Sequence, residues 1–231
     1  MRRVALTLLL AVATVAFLGL GVWQVERRSW KLALIERVET RVNAPPVAAP
    51  GPPAWPAIGA ESDEYRRVSL TGTYRPAADT YVQAVTDLGP GFWVLTPLLT
   101  DDGFTVLVNR GFVPPARRDA ADIAPPSDRV TVTGLLRISE PHGGFLRSND
   151  PGAGRWYSRD VAAIAATQGL ASVAPYFIDA AAGPDPGAWP RGGLTVIHFR
   201  NAHLVYALTW FALALLAAGG IVTAWRHRGV A

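Results

Sequence analysis

Two long uncharged runs constrain this chain more than anything else in it. Residues 4–22 make 19 positions without a charged side chain, and residues 204–225 make 22. A helix rises about 1.5 Å per residue, so about 20 apolar residues cross a hydrocarbon layer of about 30 Å. Both runs therefore read as transmembrane helices, with everything between them tethered at two ends. A secretory signal peptide is the other reading of the first run. Its apolar region would be shorter, however, and followed by small residues, whereas Trp23-Gln24-Val25-Glu26-Arg27 comes next. The run is expected to be an uncleaved anchor. Met1-Arg2-Arg3 has none of the Arg- and Ser-rich amphipathic character of a mitochondrial presequence, which favours a bacterial inner membrane.

Charge supplies an orientation. Of 22 Lys plus Arg, Arg2, Arg3, Arg226 and Arg228 lie outside the two runs, which leaves 18 basic residues against all 18 acidic ones in the segment between. The net charge of +4 thus resides in the two tails. Short basic tails stay cytoplasmic, so both termini are expected inside and the central segment in the periplasm. Arg27, Arg28 and Lys31 argue the opposite way, but they begin a long domain whose translocation depends little on charge. An electrically neutral domain offers no footprint for nucleic acid. The chain has no cysteine, which excludes disulfides, c-type haem attachment, iron–sulfur clusters and thiolate zinc sites, and with a single methionine argues against copper(I) delivery.

Past the first run, Trp30, Leu34, Val38 and Val42 recur at helical spacing among charged residues, so the helix is expected to continue to about Arg41. Residues 43–56 contain six prolines and read as an extended linker with a domain boundary. Short strands follow: VSLTGTY, TYVQAV, FWVLTPLL, TVLVNRGFV and VTVTGLLRI, with Asp101-Asp102-Gly103 as the clearest hairpin turn. One helix is expected over 159–168, capped by Ser158 and Gly169, then two more strands, PYFIDA and LTVIHFR. The chain is thus expected to divide into a cytoplasmic start (1–3), a first span (4–22), a helical extension with Pro-rich linker (23–56), a periplasmic β-rich domain (57–200), a second span (201–225) and a cytoplasmic tail (226–231). The fold class is a membrane protein whose two transmembrane helices flank a mainly antiparallel β domain, barrel-like or a curved sheet, with one covering helix.

Motifs of hydrolases, zincins and phosphate loops are missing, although a triad assembled from distant residues leaves no spacing to read. His203 is the residue that needs an explanation, because an ionisable side chain at the edge of an apolar span is costly unless it has a function, and imidazole is a common haem ligand. Sitting in the interfacial layer accounts for it equally simply, and on the residues alone that plainer reading stands ahead. Tyr206 and Trp210 follow at i+3 and i+7 on the same helical face. His198 reads as an ordinary strand residue, His142 as a turn residue and His227 as part of a basic tail. Arg155 to Asp160, RWYSRD, reads as a helix cap as readily as a site.

These segments together resemble the surfeit-locus-one (Shy-type) family of cytochrome c oxidase assembly proteins, nearly end to end from Leu18 to Trp225. The motifs that carry the likeness are LGVWQVERRSWK, YRRVSLTGTY, GPGFWVLTPL, VLVNRGFVP, RWYSRD and RNAHLVYALTW. Phe112 stands where members often have Trp, and Ala202 where Asn before the His is common. The resemblance implies two spans, an outward-facing domain and a non-enzymatic role in maturing a haem–copper terminal oxidase, in bacterial members by binding haem a and supporting its insertion into subunit I. It implies His203 as the iron ligand and reverses the plainer reading of that residue. The expected site is His203 on the metal, Tyr206 and Trp210 against the macrocycle, and Arg200 or Arg27 and Arg28 on its propionates. Expected partners are subunit I, other assembly or haem a synthesis factors, and membrane lipid. A scaffold for subunit I that binds no cofactor is the competing expectation, and a membrane-tethered periplasmic hydrolase a third. The charge pattern makes a test available: a cytoplasmic reporter fused after Ala231 should be active and alkaline phosphatase there inactive, and the reverse result overturns the topology.

Overall fold

The computed structural model of the protein describes every residue except 1, 145, 198, 200 and 227–231. Helix α1 runs Arg2–Asn43 and helix α4 runs His203–Arg226. Both are long and apolar enough, by length and composition, to cross a membrane, with mean hydropathies of 2.4 and 2.0 in their most apolar stretches. Helix α1 is continuous because nothing within it breaks a helix, and it stops where proline begins. Ala44 precedes Pro45 and is pushed out of the helical region, while the Asn43 side chain donates to the Glu39 carbonyl at 2.9 Å. The described residues fall into two compact units. One holds α1 as far as Arg37 together with α4, and the other runs Val38–Ile197.

The Pro-rich segment is not the extended linker that its composition predicts. Val47–Ala48 forms a short strand, β1, parallel to β2 (Arg67–Tyr74), and Pro52–Ala57 coils as a 3-10 turn. Trp55 packs on the β core, edge-on to Phe104 at 5.8 Å. The carbonyl of Pro50 accepts from two aromatics, the half-buried Trp55 through Nε1 at 3.1 Å and the buried Tyr176 through Oη at 2.7 Å. Proline favours this arrangement, since it removes donors and leaves carbonyls available to side chains. The β unit therefore begins at Val38 and not at residue 57.

The remaining strands are β3 (Thr80–Thr86), β4 (Gly89–Thr100), β5 (Thr105–Val113), β6 (Val130–Ile138) and β7 (Val173–Ala180), close to the segments that alternation predicts. They form a sheet in the order β1-β2-β6-β7-β5-β4-β3, antiparallel except at β1–β2 and β5–β7. An added β2–β4 pairing closes the sheet into a barrel-like form. Gly72 sits at the closure, paired with both Val130 and Thr100. A Cβ there would lie 2.1 Å from the Leu99 carbonyl, so only glycine lets the two strands meet.

Alternation sends side chains to opposite faces of the sheet and into separate cores. Val106, Val108, Tyr176 and Ile178 point into one, with Val68, Leu98 and Leu136. Leu107 and Phe177 point to the other face, where Trp156 and helix α3 (Val161–Thr167) cover them through Val161 and Ile164. Both faces being buried, β5 reads as an apolar run.

Two expectations need correction here. Helix α3 starts later than residue 159 and is capped by Asp160, whose side chain accepts from the Ala163 N–H at 3.1 Å, while Ser158 Oγ instead donates to the Glu140 carbonyl at 2.7 Å. The described residues of LTVIHFR are not a strand, and His198 and Arg200 within it lie outside the described residues. Strand β7 is already flanked by β5 and β6, so no edge remains beside it for another strand.

A fragment covering 38–197 should fold as a β-rich protein, and one covering 57–197 should melt roughly 10–20 °C lower. The shorter fragment lacks the Trp55 packing, worth about 1–3 kcal/mol, and strands the Tyr176 hydroxyl at about 1–3 kcal/mol. Circular dichroism melts check the pair.

Candidate functional site

Within the helical unit, α1 and α4 pair antiparallel along a seam that recurs at spacings of four and three. On α4 the seam is His203, Ala207, Trp210, Ala214 and Ala217, with the three alanines buried. On α1 it is Leu10, Thr14, Phe17, Gly21 and Gln24, with Gly21 and Gln24 buried. Small residues let the helices approach: a Cβ on Gly21 would lie 2.5 Å from the Phe211 ring, and one on Gly220 would lie 3.2 Å from Leu10. Midway, Phe17 and Trp210 stack with ring centroids 5.6 Å apart and planes at 25°.

At the end of this seam His203 is the first residue of α4, half-buried, and its Nδ1 lies 2.7 Å from the side-chain oxygen of Gln24. Gln24 is only 8% exposed. The other ring nitrogen, Nε2, has no hydrogen-bond partner among the described residues. Just ahead of the helix, the buried Oδ1 of Asn201 also has none. Arg28 continues the seam spacing four residues beyond Gln24 and is half-buried, and Lys31 Nζ sits 4.8 Å above the Phe199 ring.

The expected site residues are therefore not equivalent. His203 and Trp210 face α1. Tyr206 is 56% exposed, at the margin of the same face. Arg200 lies outside the described residues. Arg27 sits 4.1 Å over the ring of Trp30 on its own helix, which leaves Arg28 as the seam cation of that pair. His142 is an exposed turn residue at φ +73° whose N–H donates to Asp160, and His227 lies outside the described residues. Among the described residues no three or more His, Asp or Glu side chains gather where they could hold a metal ion. Sequence reasoning missed Gln24. Its signal was present, since an amide two residues past the end of the 19-residue uncharged run shares the helical face of Phe17 and Gly21, but nothing local named its partner 179 residues away.

The SURF1 family profile matches residues 11–215. The chain belongs to the SURF1 family. Surfeit locus protein 1 of Homo sapiens is 36% identical over 228 residues, covering 89% of this chain and 72% of the human protein. A SURF1-like protein of Monosiga brevicollis is 36% identical over 229 residues, covering 90% of this chain and 82% of that one. The SURF1-like protein of Caenorhabditis briggsae is 31% identical over 244 residues, covering 96% of this chain and 74% of its own length.

Several segments that carry the SURF1 likeness prove to be internal supports of the β unit. Asp179, buried on β7, accepts from Asn109 Nδ2 at 2.7 Å, Arg137 Nη1 at 2.9 Å, Arg159 Nη1 at 3.2 Å and Thr195 Oγ1 at 2.9 Å. Arg159 reaches Glu140 through Nε at 3.0 Å, and Arg137 reaches Glu64 at 3.0 Å. Burial pushes the Glu140 carboxyl up, but Arg159 more than reverses this and holds it below the usual carboxylate range. Arg110 pairs with Asp79 at 3.1 Å and lies over the Tyr74 ring, whose hydroxyl is pushed up to about 12 by burial. In RWYSRD, Trp156 is core, Arg159 is paired and Asp160 is a cap, so the structural account of that run is the one that holds.

The chain's lack of cysteine makes the helix pairing directly testable. With Phe17→Cys and Trp210→Cys together, a short thiol crosslinker should join the two positions within one chain in detergent. Phe17→Cys with Leu215→Cys should not crosslink, because Leu215 is 74% exposed on the opposite side.

Proposed function

We propose that this protein is an assembly factor for a haem–copper terminal oxidase, which carries haem a as cargo and supports its insertion into subunit I. The observation that supports this reading most is the placement of His203. It is a half-buried imidazole at the head of an apolar helix pair, with one nitrogen engaged by Gln24 and the other without a partner among the described residues. A flat apolar ligand needs one bond to its metal, an aromatic or aliphatic wall, and a cation for its carboxylates. His203, the Trp210 and Tyr206 side of α4, and Arg28 can supply these, with Arg200 expected nearby in the sequence. The residues present therefore fit the group. Haem supplies a Lewis-acidic iron and a broad apolar face, while the protein's part is to hold and release it. No bond-making chemistry is asked of the chain, which agrees with a chaperone and not an enzyme.

In this reading α1 and α4 span a bacterial inner membrane, both tails are cytoplasmic and the β unit is periplasmic. The tail arginines and the neutral central segment support that orientation. Subunit I and the haem a synthesis machinery are the partners it implies.

A second reading is a cofactor-free scaffold for subunit I. It is favoured by an open groove of about 480 Å³ on the β unit, lined in part by Phe92, Arg147, Tyr157 and Val85, the last at 85% exposure.

Spectra of the full-length protein, co-expressed with haem a synthesis, separate the two. The haem reading expects a Soret band that His203→Ala loses or shifts, with expression and membrane insertion unchanged. A protein free of haem, or an unaltered spectrum in His203→Ala, returns the function to the scaffold.

A further inference from the structure

We infer that Gln24 is a positioning residue for His203: its amide oxygen keeps the ring proton on Nδ1 and so presents Nε2, with its lone pair, as the nitrogen that binds iron. This rests on the haem reading above. A neutral imidazole has one N–H and one lone pair, and a carbonyl oxygen can only accept. A hydrogen bond across the 2.7 Å between Gln24 Oε1 and His203 Nδ1 is therefore one in which Nδ1–H donates. The remaining nitrogen, Nε2, is then unprotonated and has no partner among the described residues. Metal-binding histidines are commonly held this way, through a hydrogen bond from the non-ligating nitrogen to a carbonyl or carboxylate, which orients the ring and raises its basicity.

The surroundings make the contact selective. Gln24 is 8% exposed and stands one helical turn from Gly21, against which the Phe211 ring packs, with the Phe17–Trp210 stack a further turn along. A buried amide there loses water and must find a protein partner, and so must the imidazole. Among the described residues, charged or polar side chains near this end of the seam include Arg28 and Lys31 on α1 and Asn201 ahead of α4. Arg28 and Lys31 are donors only, and the Asn201 Oδ1 makes no hydrogen bond. Among the described residues, Gln24 alone reaches Nδ1. A purely structural polar contact would also fix the register of two helices and the ring proton, but its loss would leave the haem affinity and the potential of the bound haem unmoved.

Two measurements on the full-length protein in detergent test this. Histidine 15N spectra, with the His203 signals assigned by their loss in His203→Ala, should show Nδ1 protonated and Nε2 bare in the parent and a mixture of tautomers in Gln24→Leu. Titration with ferric haem b as probe should give 10- to 100-fold weaker binding in Gln24→Leu. Gln24→Glu, a stronger acceptor for the same N–H, should restore binding and lower the reduction potential of the bound haem. The thiol crosslink between positions 17 and 210 reports that the helices still pair. A proton on Nε2 in the parent overturns the inference, as does parental haem affinity in Gln24→Leu. If Gln24→Leu fails to insert or pair, Gln24→Glu decides alone, and an unchanged potential overturns the proposal. Should His203→Ala bind haem b as the parent does, the haem reading falls and this inference with it. Should only Gln24→Leu match the parent while His203→Ala loses binding, the haem reading stands and the role of Gln24 does not.

Discussion

In the membrane placement proposed for this protein, two apolar helices gain nothing from hiding apolar surface, since lipid tails are as apolar as leucine. Their pairing depends on close approach and on the few polar groups that must find each other. In this protein the first is supplied by Gly21 against α4 and by Ala207, Ala214 and Ala217 against α1, and the second by Gln24 and His203. The polar pair is the only one of these that also fixes chemistry. A slip of either helix by one turn would separate the amide from the imidazole by about 5.4 Å and leave both groups unsatisfied. The register of the span pair and the state of the histidine ring are thus one constraint.

The β unit solves a different problem. Its strands bury apolar side chains on two faces, which leaves little polar surface to steer the order of strands, and a buried ionic knot centred on Asp179 supplies that information. Four donors from β5, β6, the segment before α3 and the chain after β7 converge on one carboxylate. A charge in such a place is tolerated only when fully paired, and removal of one partner leaves the others uncompensated. Two motif arginines of the β unit, Arg110 and Arg159, are consumed in such ion pairs, so in those two runs arginine marks the fold and not a ligand.

That contrast bears on the functional reading. In the β unit the carboxylates around Asp179 and Arg110 are answered by arginines, although the buried Nε of Arg117 and of Arg191 have no partner among the described residues; at the head of α4 an imidazole nitrogen and an amide oxygen are likewise without one among the described residues. Unanswered polarity beside an apolar seam is what a carrier of a flat, metal-centred cargo needs, because the cargo must bind through few bonds and leave again. The open groove on the β unit fits a protein partner better than a cofactor, being broad, exposed and lined by mixed residues.

The sequence by itself determined the parts that follow from local composition. These are two helices apolar enough to cross a membrane, the strands that alternate, the hairpin at Asp101-Asp102-Gly103, and His203 as an imidazole at the start of an apolar run. Period and length are properties of neighbouring residues, so they are legible one segment at a time. What only the tertiary structure decided is everything that needs a partner far along the chain. Proline in residues 43–56 signals extended backbone, but that the Pro50 carbonyl meets Tyr176, 126 residues on, depends on closure of the sheet. Asp160 and not Ser158 caps α3 because Ser158 is taken by the Glu140 carbonyl. Likewise the spacing of His203, Tyr206 and Trp210 defines a face of one helix, while α1 covers Trp210, leaves Tyr206 exposed and brings Gln24 to the ring. Helical periodicity says which side chains share a side; only the packing of the second helix says what that side touches.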